Sequence, residues 1–118
     1  MQRIVCVESS GFLVGVYETI VKKFLEQECY VYSSLEEAMI QIPLVSPHFL
    51  IVDFDTIGGR IDKLMAVISE ETKVVITSRT STENILSYEN WVKPISVEKI
   101  QKRFFEMLNV SEQYLYSV

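Results

Sequence analysis

Cysteine and histidine are scarce in this sequence: Cys6, Cys29 and the single histidine His48 are all that 118 residues contain. Neither their number nor their spacing supports a disulfide framework or a zinc centre. Each cysteine is expected to pack as a small apolar side chain. A Ser-His-Asp or Cys-His nucleophile has no supporting spacing either, and His48, beside Pro47, reads as a loop residue. Blocks of like charge are also missing. With 23% charged residues and a net charge of −5, the chain offers no basic surface for nucleic acid and no signature of disorder. Its longest apolar stretches, such as Phe49 to Val52, fall far short of the roughly 20 residues that cross a bilayer. The first residues lack a signal-peptide layout, so a cytoplasmic protein that does not enter the membrane is expected.

What the chain does have is apolar content: 48% of it is hydrophobic, enough to bury one core but too short a length for two ordinary domains. Residues 1–110 are read as that domain and 111–118 as a tail or linker stub, whose Tyr114 and Tyr116 pack on the domain or meet a partner. A β-branched run from Arg3 to Val7 ends at Glu8, Ser9 and Ser10. Leu13, Val16, Ile20, Val21, Phe24 and Leu25 follow at helical spacing. Cys29 to Tyr32 gives a second strand. Ser34 with Glu37 forms a capping box opening a helix through Ala38 and Met39 towards Ile42, and Pro43 is expected to stop it or soon follow its end. Phe49 to Val52 is apolar without alternation, as a strand covered on both faces is. It runs into Asp53-Phe-Asp-Thr-Ile-Gly-Gly59, and Ile61, Leu64, Met65 and Ile68 then mark a short helix.

Lys73 to Ile76 repeats the buried-strand pattern and ends at Thr77 and Ser78. Residues 81–88 are only weakly periodic, and the segment from Ser81 to Asn90 is expected to be the least ordered internal part. Trp91 and Val92 make a brief fifth strand before Lys93 and Pro94. Ser96 caps a last helix with the stripe Val97, Ile100, Phe104 and Leu108; Phe105, off that stripe, hints at a dimer face. Five strands alternating with helices, short connections and right-handed crossovers predict a parallel sheet layered between helices.

In open parallel sheets, ligands bind outside the carboxyl ends of the strands. The residues there are Glu8, Asp53, Thr77 and Lys93. If the first and third strands are neighbours, Glu8 and Asp53 converge as hard oxygen ligands suited to magnesium, with Thr77 and Lys93 approaching from the other side. That set suits phosphoryl transfer: a carboxylate nucleophile, a cation to offset charge and a hydroxyl to bond the product. Singly, each residue also has an ordinary role. Asp53 and Asp55 could only shape a turn, Glu8 and Ser9 could cap the first helix, and Thr77 and Lys93 could be strand and surface residues.

An acid after the first strand, Asp after an apolar third strand, Thr-Ser after the fourth and Lys-Pro after the fifth together resemble a response-regulator receiver domain, over residues 3–108. The resemblance implies a flavodoxin-like (βα)5 three-layer sandwich with parallel strand order 2-1-3-4-5, an order tabulated for such folds. It implies that Asp53 accepts phosphate from a histidine kinase or phosphotransfer protein, that Thr77 and Lys93 sense and contact the phosphoryl group, and that Glu8, Asp53 and the backbone carbonyl of Asp55 hold magnesium. Signal would pass by contact to a downstream partner or effector domain, with a homodimer as a further option. On this reading the chain is a signalling domain and not an enzyme.

Three departures stand out. Ser9 follows Glu8 where receivers usually carry a second acid, so magnesium is expected to bind weakly. Asn90 replaces the usual switch aromatic three residues before the lysine, with Trp91 adjacent as a substitute if the register shifts. The intervals from Asp53 to Thr77 and from Thr77 to Lys93 are short, so the third and fourth helices are expected to be truncated. These departures keep open a pseudo-receiver acting by constitutive contact or dimerisation. Asp53-Phe-Asp-Thr56 also resembles the first motif of haloacid-dehalogenase-type phosphotransferases, but no paired aspartates follow Lys93 to hold their magnesium.

Overall fold

A computed structural model describes residues 1–79 and 88–108. Five strands, β1 (Arg3–Val7), β2 (Glu28–Tyr32), β3 (Phe49–Asp53), β4 (Lys73–Ser78) and β5 (Glu89–Val92), form one parallel sheet in the order β2-β1-β3-β4-β5. This is the flavodoxin-like order that the receiver resemblance implies. Ile4 lies opposite Cys29 and Phe49, and Asp53 lies opposite Thr77. The registers bring the carboxyl ends of β1, β3 and β4 to one edge.

The helices are α1 (Gly11–Glu18), α2 (Leu35–Val45), α3 (Ile61–Met65) and α4 (Val97–Met107). The sheet's period of two sends alternate side chains to opposite layers. Ile4, Cys6, Phe49, Ile51 and Val75 pack with α1 and α4 on one face. Val5, Val7, Leu50, Val52 and Ile76 pack with Ala38 and Ile42 of α2 and Ile61 and Leu64 of α3 on the other. Every residue of β3 is buried, so its unbroken apolar run is explained by cover on both faces. Cys6 is buried and Cys29 half-buried, both as free thiols within the first layer, and His48 is an exposed loop residue whose Nδ1 accepts from the Arg3 N–H.

Several expectations need correction. Helix α1 continues as a π-helical stretch, Thr19–Phe24, closed by an i to i+5 bond from Leu25 N–H to the Ile20 carbonyl. Its buried residues include Tyr17, outside the expected stripe, while Phe24 is only half-buried. Pro43 does not stop α2. The helix runs two residues past it to a left-handed Ser46: the ring lies exposed, and the backbone bond that a proline cannot donate is lost without ending the helix. Phe105 is not a dimer face: it is 2% exposed, since the buried face of α4 takes in Ile100, Phe104, Phe105 and Leu108 and leaves Val97 at the exposed end. The five-residue α3 agrees with the expected truncation. The shortened fourth helix expected at 81–88 and the tail at 111–118 fall largely or wholly outside the described residues; of the segment 81–90 expected to be least ordered, Glu89 and Asn90 are instead paired into β5 opposite Val75 and Ile76.

Candidate functional site

Each candidate side chain reaches the sheet edge because a strand ends there. Glu8 follows β1, and its N–H is bonded to the Tyr32 carbonyl of β2. Asp53 is the last residue of β3, followed by a tight turn in which Gly58 and Gly59 take positive φ. A side chain at Gly59 would meet the Phe54 ring at 3.1 Å, so the turn requires a residue without one. Thr77 is opposite Asp53 on β4. Lys93 follows β5, with its N–H on the Ser78 carbonyl at 2.7 Å and a cis bond to Pro94.

These four converge. Lys93 Nζ lies 3.0 Å from Asp53 Oδ1 and 2.8 Å from Glu8 Oε1, and the side chains are 16%, 4% and 2% exposed, respectively. The Thr77 hydroxyl donates to the same Asp53 Oδ1 at 3.2 Å. A half-buried ammonium between two buried carboxylates is worth little as a net stabiliser, but removing the ammonium leaves two buried carboxylates without a compensating charge. Burial acts to raise the Asp53 pKa, yet bonds from Thr56 and Lys93 and the Lys93 charge outweigh it and hold the carboxyl below its ordinary range. Burial acts to lower the Lys93 pKa, and its bonds to Glu8 and Asp53 overcome it, leaving the ammonium above its ordinary value.

Thr56 went unremarked in the sequence. Its N–H and its hydroxyl both reach Asp53 Oδ2, at 3.0 and 2.7 Å, and its oxygen in turn meets the Ser9 N–H at 3.2 Å and the Ser9 hydroxyl at 3.1 Å. A Thr three residues after an Asp at a strand end is a recognisable side-chain turn pattern, and that was the available signal. Ser9 is not the cap of α1. That role falls to Ser10, whose hydroxyl accepts from Leu13 N–H, while Glu8 Oε2 accepts the N–H groups of both Ser9 and Ser10. Trp91 does not replace the missing switch aromatic: it is 1% exposed in the α1/α4 layer, and Asn90 keeps the expected register opposite Ile76.

The oxygens expected to hold magnesium are of the right kind, but as arranged they do not form a shell. Glu8 and Asp53 are fully engaged within the chain, and the Asp55 carbonyl accepts the Gly58 N–H at 3.1 Å. Among the described residues no group of three or more His, Cys, Asp and Glu side chains is placed to hold a metal ion, and Ser9 adds no carboxylate beside Glu8.

No protein-family model matches the sequence, and no curated protein matches it. Solved structures do. A response regulator from Thermotoga maritima superposes with a TM-score of 0.74 at 15% identity, covering 92% of this chain and 98% of that one. An AraC two-component transcriptional regulator from Clostridium phytofermentans gives 0.74 at 17% identity, covering 100% of both. The receiver domain of a sensor histidine kinase from Pseudomonas aeruginosa, with magnesium coordinated in its active-site cleft, gives 0.69 at 11% identity, covering 92% and 98%. The chain therefore has the fold of response-regulator receiver domains. No helix among the described residues is long and apolar enough to cross a membrane.

Proposed function

We propose that the chain is a cytoplasmic signalling receiver that takes a phosphoryl group onto Asp53 from a phosphohistidine of a histidine kinase or phosphotransfer protein and passes the change to a downstream partner or effector domain by contact. The observation that carries this is the convergence on Asp53 Oδ1 of Lys93 Nζ at 3.0 Å and the Thr77 hydroxyl at 3.2 Å. Lys93 and Thr56 keep the carboxylate ionised, as a nucleophile must be. In the transfer an Asp53 oxygen forms the new O–P bond while the donor's N–P bond breaks, and the departing imidazole nitrogen keeps the bonding pair and takes up a proton. Lys93 offsets the added negative charge, and the Thr77 hydroxyl donates to a phosphoryl oxygen.

A second reading, a pseudo-receiver acting by constitutive contact, is favoured by the same site's saturation, since each oxygen of Glu8 and Asp53 already has a partner within the chain. Intact mass after treatment with a small phosphodonor plus magnesium separates the two. A gain of one phosphoryl mass in the wild type and none in folded Asp53→Asn supports the acceptor reading. Undiminished gain in Asp53→Asn overturns Asp53 as the acceptor, and no gain in the wild type leaves the pseudo-receiver.

A further inference from the structure

We propose that Thr56 is a latch on Asp53: together with Ser9 it occupies the side of the carboxylate that a divalent ion would need, and so sets how readily the site admits one. The proposal builds on Asp53 as the phosphate acceptor for its biological consequence, but not for its test.

The argument is one of hydrogen-bond capacity. A threonine hydroxyl has one proton to give and two lone pairs to fill. Asp53 Oδ2 is an ionised oxygen with no proton of its own, so the 2.7 Å contact requires Thr56 to be the donor. That leaves two lone pairs, and two donors stand at them: the Ser9 N–H at 3.2 Å and the Ser9 hydroxyl at 3.1 Å. The geometry of the first bond thus fixes the direction of the last, with Ser9 donating. Every bonding position of the Thr56 hydroxyl is filled, and Oδ2 holds two donors from this one residue.

Magnesium demands near-octahedral oxygen ligands at close range and gives up its own water reluctantly. To use Oδ2 it must displace a charge-assisted bond and break the Ser9 contacts behind it. The latch is also anchored: the turn that carries Thr56 is closed by bonds from Gly58 N–H to the Asp55 carbonyl and from Gly59 N–H to the Phe54 carbonyl. Ser9 lies on a different element, the loop after β1, so the latch ties the two loops that flank the acceptor. The neutral hydroxyl pair stands where a second acid beside Glu8 would otherwise supply charge.

Magnesium titration by calorimetry, with no phosphodonor present, tests this. Thr56→Ala is expected to bind magnesium on the order of tenfold more tightly than the wild type, the scale of one charge-assisted bond no longer displaced. Thr56→Ser, which keeps the hydroxyl, is expected to match the wild type. Should Thr56→Ala not fold, Thr56→Val keeps the shape while removing the hydroxyl, and carries the same expectation. Binding by the hydroxyl-free variant no tighter than the wild type, including none detected, overturns the latch, as does Thr56→Ser behaving like Thr56→Ala. A wild type that never gains phosphoryl mass sinks the acceptor reading while leaving this result standing.

Discussion

Lys93 Nζ lies 3.0 Å from Asp53 Oδ1, joining the ends of β3 and β5 although the two strands are separated by β4 in the sheet. The same ammonium reaches Glu8 at 2.8 Å, so one cation spans three strand ends. Lys93→Met is therefore expected to leave two buried carboxylates facing each other and to cost about 3 kcal/mol. Urea unfolding measures it. Adding Glu8→Gln should return part of that loss; a double variant no more stable than Lys93→Met would show that charge is not the cause.

The site also shapes stability against pH. Asp53 has a folded pKa below its ordinary 3.8, so its contribution is complete above that value and is lost as pH falls through the lower folded one. Lys93 is raised above 10.5, so its contribution is complete below that value and is lost as pH climbs through the higher folded one. Glu89 is also held low, against its burial, by Arg103 and Trp91, and it is common to wild type and variant. Urea unfolding at a series of acid pH values should show the wild type losing more stability below 3.8 than Asp53→Asn does; parallel losses would contradict the shift.

Ser9→Asp places a carboxylate where Ser9 now donates to Thr56. Hard divalent ions prefer anionic oxygen, so the variant should bind magnesium more tightly than the wild type in the same titration. Equal or tighter binding by the wild type would mean that the missing second acid is not what limits the site.

Tyr17 carries a cost unrelated to function. Its side chain is 1% exposed and packs edge-on against Phe104 at 6.0 Å, yet its hydroxyl has no hydrogen-bond partner among the described residues. Burial drives the phenol pKa well above its ordinary value. Tyr17→Phe keeps the ring and deletes the orphaned group, so it should stabilise the protein by about 1 kcal/mol. A lower urea midpoint would reveal an unrecognised partner.

The architecture was legible because its signals are periodic. The unbroken apolar runs of β3 and β4 and the caps at Ser34 and Ser96 mark elements without reference to the rest of the chain, and the caps accept from Glu37 and Lys99 N–H. The convergence of Glu8, Asp53, Thr77 and Lys93 followed from strand order, which makes strand-end residues neighbours. What escaped depends on exact placement. Whether Phe105 faces core or solvent is set by the rotation of α4, and an apolar stripe one residue wider than expected reverses the answer. Pro43 was misjudged because proline disfavours a helix without forbidding it, and the buried face carrying Ala38 and Ile42 holds α2 against the sheet. Thr56 was missed because its importance lies in a 2.7 Å bond and a partner 47 positions away, neither of which has a sequence period.

Trp91 is the only tryptophan of the chain and stands on β5, two residues before Lys93. Its indole N–H donates to Glu89 Oε2 at 2.6 Å, and its ring meets Phe104 edge-on at 6.1 Å. An indole in so dry and fixed a setting emits at short wavelength, with an intensity sensitive to small changes in its neighbours. The protein thus carries an unlabelled optical gauge two residues from its lysine, readable in a stopped-flow cuvette.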